Sequence, residues 1–155
     1  MDKIGWCKRQ NKGIKLVNPS DNLCEEYYKN AEESLRVLRN IQGTESNMWL
    51  VTTKCYVEYF AVYSVLMKIR IKSEIHDCTI ALVEFLENES VVEKGTSKIL
   101  EKDKDLRIDN QYYLKNNPVN INLNELSDFL LSTKNSLDKL DTNKINEIRA
   151  KLEEF

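Results

Sequence analysis

Residues 48 to 69 read MWLVTTKCYVEYFAVYSVLMKI, a run whose only charges are Lys54, Glu58 and Lys68. No glycine or proline interrupts it, and Ser46 stands ahead of it as a residue whose hydroxyl can accept from an unpaired backbone N–H. The run is longer than ordinary strands and is read as a helix. With so few charges this helix is apolar almost all round. It has no wide solvent face and belongs at the centre of the fold. Tyr56, Phe60, Tyr63 and Met67 are therefore expected to be mostly buried. The tyrosine rings are read as core and interchain contacts in preference to platforms for nucleic-acid bases.

Working outward, Leu23, Tyr27, Ala31, Leu35, Leu38 and Ile41 recur at helical spacing, with Glu25, Glu26, Lys29, Glu32, Glu33 and Arg36 elsewhere, so an amphipathic helix runs from Asp21 to just before Gly43. On the other side, Ser73 is the N-cap expected for a third helix carrying Cys78, Ala81, Leu82, Phe85 and Leu86, with Gly95 as its C-terminal glycine. Thr96 or Ser97 caps a fourth helix through Ile99, Leu100 and Leu106 toward Tyr112 and Tyr113, stopped by Asn116-Asn117-Pro118. Asn122 opens a fifth, with Leu123, Leu126, Leu130, Leu137 and Leu140 as its seam. Asp141-Thr142 caps a last short helix with Ile145, Ile148, Leu152 and Phe155 aligned. Residues 1–19 contain Gly5 and Gly13 and end at Asn18-Pro19-Ser20. They read as an irregular arm pinned by Trp6, Ile14 and Val17. No repeat and no long linker divides the chain. The expectation is one domain over residues 1–155, an all-α, up-and-down helical bundle of five or six helices, with 119–155 as its C-terminal helices.

A chain of 155 residues buries roughly 68–70% of its unfolded surface, enough for a real core. At 41% hydrophobic and 31% charged residues, with 4 Gly and 2 Pro, it is neither collagen-like nor low-complexity nor disordered. A formal charge of -2 supplies no field that would draw it onto DNA or an anionic membrane, so any RNA contact must be local. The four cysteines, Cys7, Cys24, Cys55 and Cys78, fit no zinc or redox spacing, and a core of this size needs no staple. All four are expected to be free thiols, and neither a metal nor a cofactor is expected. The N-terminal MDKIGWCKRQ has no apolar leader segment and no run is long enough to span a bilayer, which leads to an expectation of a cytoplasmic protein.

No phosphate-binding glycine loop, metal-ligand pair or nucleophile elbow is present, so any chemistry rests on His76, the single histidine. It lies at the expected start of the third helix, where unpaired N–H groups and the helix dipole disfavour the imidazolium; adjacent Asp77 pulls the other way. A neutral imidazole near pH 7 is the form a general base needs. Arg70 precedes it by six positions. On one continuous helix the two would point to different faces, so a shared site needs the chain to turn between them, and Ser73 as a cap supplies that turn. An arginine fork beside an imidazole at a helix N-terminus suits a phosphodiester. Each residue also has a plainer role, His76 as a capped helix start and Arg70 as a cation at a helix C-terminus. The alternating run Glu101-Lys102-Asp103-Lys104-Asp105 reads as a solvated helix face.

The stretch from Cys55 to Met67, the basic turn Lys68 to Lys72 and His76-Asp77 opening an apolar helix together resemble the HEPN superfamily. The entry segment Gly13-Ile14-Lys15-Leu16-Val17-Asn18-Pro19, leading into Tyr27 to Leu35, is similar to its small prokaryotic branch, and Leu106 to Tyr113 is similar to the Arg and Tyr pattern that closes the fourth helix there. The resemblance spans residues 13 to about 115. It implies a bundle that dimerises and, in toxin members of toxin–antitoxin pairs, a metal-independent ribonuclease using Arg-x(4 to 6)-His. Arg70 and His76 fit, with five residues between them. His76 would move the proton between the 2′-hydroxyl and the leaving oxygen of single-stranded RNA, and Arg70 would stabilise the phosphorane. Lys72 and Asp77 are the accompanying substrate-binding candidates. Two departures stand out: Arg70 occupies a position often held by a turn residue such as glycine, and Cys78 stands where many toxin members carry the tyrosine modified by their partner. The other reading is a catalytically quiet HEPN module that binds a minimal nucleotidyltransferase partner, or a nucleotide, in the dimer cleft.

Overall fold

A computed structural model describes residues 2–18 and 21–155. Seven α-helices, one short antiparallel strand pair and a 3-10 turn at Gln42–Thr44 make up the regular structure of the described residues: α1 Lys3–Arg9, β1 Lys15–Leu16, α2 Asp21–Ile41, α3 Asn47–Ile69, β2 Ile71–Lys72, α4 His76–Asn88, α5 Thr96–Gln111, α6 Leu123–Lys139 and α7 Thr142–Glu153. This is an all-α helical bundle. No helix among the described residues is long and apolar enough to cross a membrane.

The central run forms α3. Ser46 caps it, its hydroxyl accepting from Trp49 N at 3.4 Å. The helix ends because Arg70 turns left-handed, at φ 69°, and its N–H returns to Leu66 and Met67 carbonyls. Being apolar on all sides, α3 serves two cores. One side sends Val51, Cys55, Val62, Leu66 and Ile69 against α4, α5 and α7. The other sends Leu50, Val57 and Ala61 against Ala31, Leu35 and Leu38 of α2 and Leu126 and Leu130 of α6. Leu38 and Leu66 are sealed from water, and each such side chain contributes about 1.5–3 kcal/mol. The expected burial holds for Met67. Phe60 and Tyr63 are half-buried, and Tyr56 is 52% exposed, because its side of α3 faces a groove beside α2 that no third helix of the chain fills.

Six of the seven helices correspond to the expected ones; the arm departs from expectation. Residues 3–9 are helical, with Asp2 accepting from Gly5 N at 2.8 Å, and Lys15 and Leu16 pair with Lys72 and Ile71 as a minimal antiparallel ladder. Within the arm Ile14 is buried, and Val17 donates its N–H to the Arg70 carbonyl at 2.9 Å, whereas Trp6 is 39% exposed. Pro19 and Ser20, part of the expected turn, lie outside the described residues. A seven-residue helix cannot stand alone in water. What holds α1 also overturns the free-thiol expectation: Cys7 is disulfide-bonded to Cys78 in the first turn of α4, across 71 positions of sequence. Cys24 and Cys55 are buried and outside any disulfide.

Two caps also differ. Ile75, not Ser73, precedes α4; the Ser73 hydroxyl instead donates to the Ile75 carbonyl and accepts from Thr79 Oγ1 at 3.0 Å. Gly95, at φ 98°, directly precedes α5 and does not terminate α4, which ends at Asn88. The first turn of α5 takes its acceptor through space, Ser97 N donating to Glu87 Oε1 of α4 at 2.6 Å. The caps expected at Asn122 and Asp141 are present, accepting from Glu125 N at 3.1 Å and Lys144 N at 2.7 Å.

Candidate functional site

His76 opens α4 directly after the β2 ladder, so the chain does turn between Arg70 and His76. The turn is made by the left-handed Arg70 and the two-residue strand. The imidazole packs against the Tyr59 ring of α3, with centroids 4.8 Å apart. On its other side Nδ1 lies 3.5 Å from Arg107 Nη2 of α5. One turn earlier on α5, Lys104 donates to Asp77 Oδ1 at 2.6 Å. Arg107 is held in turn by Gln111 Oε1 at 3.1 Å. Lys104, Arg107 and Gln111 follow one another at the three- and four-residue spacing that shares a helix face, and that face meets the start of α4.

Electrostatics follow from these contacts. Desolvation against Tyr59 is the main reason the imidazolium is disfavoured, so the His76 pKa is lowered; the Arg107 and Lys104 cations push the same way and Asp77 opposes them. The Asp77 carboxyl is held below the usual range chiefly by its hydrogen bond to Lys104. A guanidinium can only donate, so Nδ1 accepts, and the contact selects the neutral tautomer with the proton on Nε2.

No hydrogen bond joins Arg70, the expected partner, to His76. Arg70 ends α3, and its carbonyl accepts from Arg149 Nη1 at 2.6 Å as well as from Val17. Among the described residues its guanidinium makes no hydrogen bond or ion pair, with His76 or any other group. Lys72 sits on β2 and pairs with Glu74 at 3.3 Å. Of the four candidates, therefore, His76 and Asp77 share a site, completed by Tyr59, Lys104 and Arg107. Lys104 belongs to the run expected to be a solvated helix face, yet its side chain is only 16% exposed and Asp103 is buried, because this face of α5 packs inward in a way that sequence spacing does not reveal. Among the described residues no cluster of three or more His, Cys, Asp or Glu side chains is arranged to hold a metal ion. The site presents an imidazole, the Arg107 cation, the Lys104–Asp77 ion pair and first-turn backbone N–H groups, a set that suits an anion with protons to exchange.

Compared with known proteins, the sequence matches no family model and no curated protein.

Proposed function

We propose that this chain is a HEPN-type, metal-independent endoribonuclease acting on single-stranded RNA as a homodimer. The observation that carries the reading is the exposed His76 imidazole, biased toward its neutral form, beside the Arg107 guanidinium, which has no carboxylate partner among the described residues. A phosphodiester entering the site draws Arg107 onto its oxygens and frees Nδ1. That nitrogen takes the 2′-hydroxyl proton, the 2′-oxygen bonds to phosphorus as the bond from phosphorus to the 5′-oxygen breaks, and the His76 imidazolium so formed gives a proton to the leaving 5′-oxygen, yielding a cyclic phosphate and a 5′-hydroxyl. Lys104 and Arg107 offset the charge on the phosphorane. In this arrangement Arg107 takes the phosphate-binding part within one protomer, and Arg70 joins only if the dimer brings it there.

A dimer has a surface to use. Val37, Trp49 and Tyr56 are exposed along the α2–α3 groove, with Ile41 and Phe60 at its floor. Exposed aromatics along a groove of this kind suit a second chain. Work on cellular RNA fits a cytoplasmic location, whereas the buried Cys7–Cys78 bond is a feature more usual of oxidising compartments. A minimal nucleotidyltransferase is the partner a toxin–antitoxin role would require.

The test is cleavage of end-labelled single-stranded RNA in EDTA. Wild type should cut, His76→Ala should lose about 10²–10⁴-fold, and Arg107→Ala should lose more than Arg70→Ala. The engagement of Arg70 in a helix end favours the quiet binding module as second reading. RNA or nucleotide binding that depends on Arg107, with no cleavage by wild type, would establish it.

A further inference from the structure

Glu58 of α3 and Asp103 of α5 meet where these helices pack, and the site around His76 uses neither. Glu58 is wholly buried and Asp103 is 1% exposed. With both ionised, neither Glu58 oxygen has a hydrogen-bond partner, nor has Asp103 Oδ2. The cation against them is Lys54, with Nζ at 3.2 Å from Asp103 Oδ1 and 3.1 Å from Oδ2. Cys55 Sγ is 3.3 Å from the Asp103 carbonyl it donates to, which ties the α5 backbone to the same place. The buried Tyr59 hydroxyl on the next residue of α3 is likewise without a partner. Lys102 of α5 and Glu125 of α6 face the pair across a cavity of about 150 Å³ whose remaining wall includes Leu126 and Phe129.

Two buried carboxylates against one ammonium leave a negative charge uncompensated, an arrangement a folded protein does not sustain. Lys102 and Glu125 at the rim of the cavity are exposed and carry opposite charges. A single proton removes the conflict, because a protonated Glu58 donates to Asp103. We propose that the Glu58–Asp103 pair holds one proton and that this proton seats α5 on α3, so that its loss as pH rises opens the joint along the cavity and lifts Lys104 and Arg107 with α5. Burial foremost, then the hydrogen bond to Asp103 and its charge, keep the Glu58 carboxyl well above the usual range, against the opposing pull of Lys54. Burial similarly keeps Cys55 and Tyr59 protonated, so neither competes for this role. The unfolded chain releases the Glu58 proton in the ordinary carboxyl range while the folded chain retains it. Stability from this proton is full below that range and is lost as pH rises through the raised value, by up to about tenfold in the unfolding constant per pH unit.

Glu58→Gln puts an amide N–H where the proton sits and cannot lose it. Urea unfolding of both proteins from about pH 5 to about pH 9 should show the wild-type unfolding constant climbing relative to that of the variant at the slope of one proton. At one alkaline pH, α5 amides should exchange faster in wild type than in Glu58→Gln, and equally fast in both below neutrality. Carbon NMR of wild type alone should find the Glu58 carboxyl protonated at neutral pH, a readout that survives failure of the variant to fold. Parallel unfolding profiles, equal α5 exchange at alkaline pH, or an ionised Glu58 at neutral pH would overturn the proposal.

Discussion

A histidine ring 4.8 Å from Tyr59 and 3.5 Å from Arg107 loses proton affinity to burial first and then to the Arg107 and Lys104 cations. Arg107→Gln removes one of the two repelling charges and keeps the burial and Lys104, so the His76 pKa should rise toward the ordinary value without reaching it, as read by proton NMR titration of the single imidazole. The linkage has a definite sign. The folded value lies below that of the unfolded chain, so stability from this group is present above the ordinary imidazole range and is lost as pH falls through the lowered value. A pKa unchanged by the substitution would mean that Arg107 does not act on the ring. At this scale the sequence pointed to His76 and Asp77, through uniqueness and position at a helix start. It could not point to Arg107 or Tyr59, because the contacts join α4 to faces of α5 and α3 whose orientation only packing decides. Arg70 has the expected spacing from His76, and within one chain its backbone closes α3 while its guanidinium makes no bond to the imidazole.

Hydrophobic periodicity exposed the six longer helices because each buries a stripe or, for α3, its whole circumference. The α1 helix was hidden because its stability comes from a covalent tie to Cys78, far off in sequence and next to nothing that cysteine spacing could reveal. Gly13 belongs to the same junction, with its amide plane so close to α1 that a Cβ would stand 1.8 Å from the Cys7 carbonyl oxygen. Closing a loop of this length restricts the unfolded chain by about 4 kcal/mol. The paired Cys7→Ser and Cys78→Ser variant should lose stability of that order in urea unfolding, and wild type in strong reductant should approach it. Residues 3–9 should then show the fastest amide exchange. A variant as stable as wild type would show that packing of Ile4 and Ile14 alone holds the arm.

As a whole, the bundle buries most of α3 and leaves its exposed aromatics, Trp49 and Tyr56, along the groove that Val37 also edges. If a second copy fills that groove, light scattering at micromolar concentration should give twice the chain mass, and Trp49→Asp should return it to the single-chain value with unchanged helix content. Single-chain mass for wild type would remove the dimer from the proposed function. The end of α3 bears on the order in which the chain assembles. Its final carbonyls are closed by Val17 from upstream and by Arg149 from 79 positions beyond Arg70. A ribosome therefore releases the most apolar helix of the molecule well before its closing guanidinium exists. During that interval α3 has only α2, joined to it by a short connection, as an early partner. Assembly that starts from this helical pair and finishes at α7 leaves half of a water-averse cylinder bare for much of synthesis, which makes α3 the segment a nascent-chain chaperone would grip.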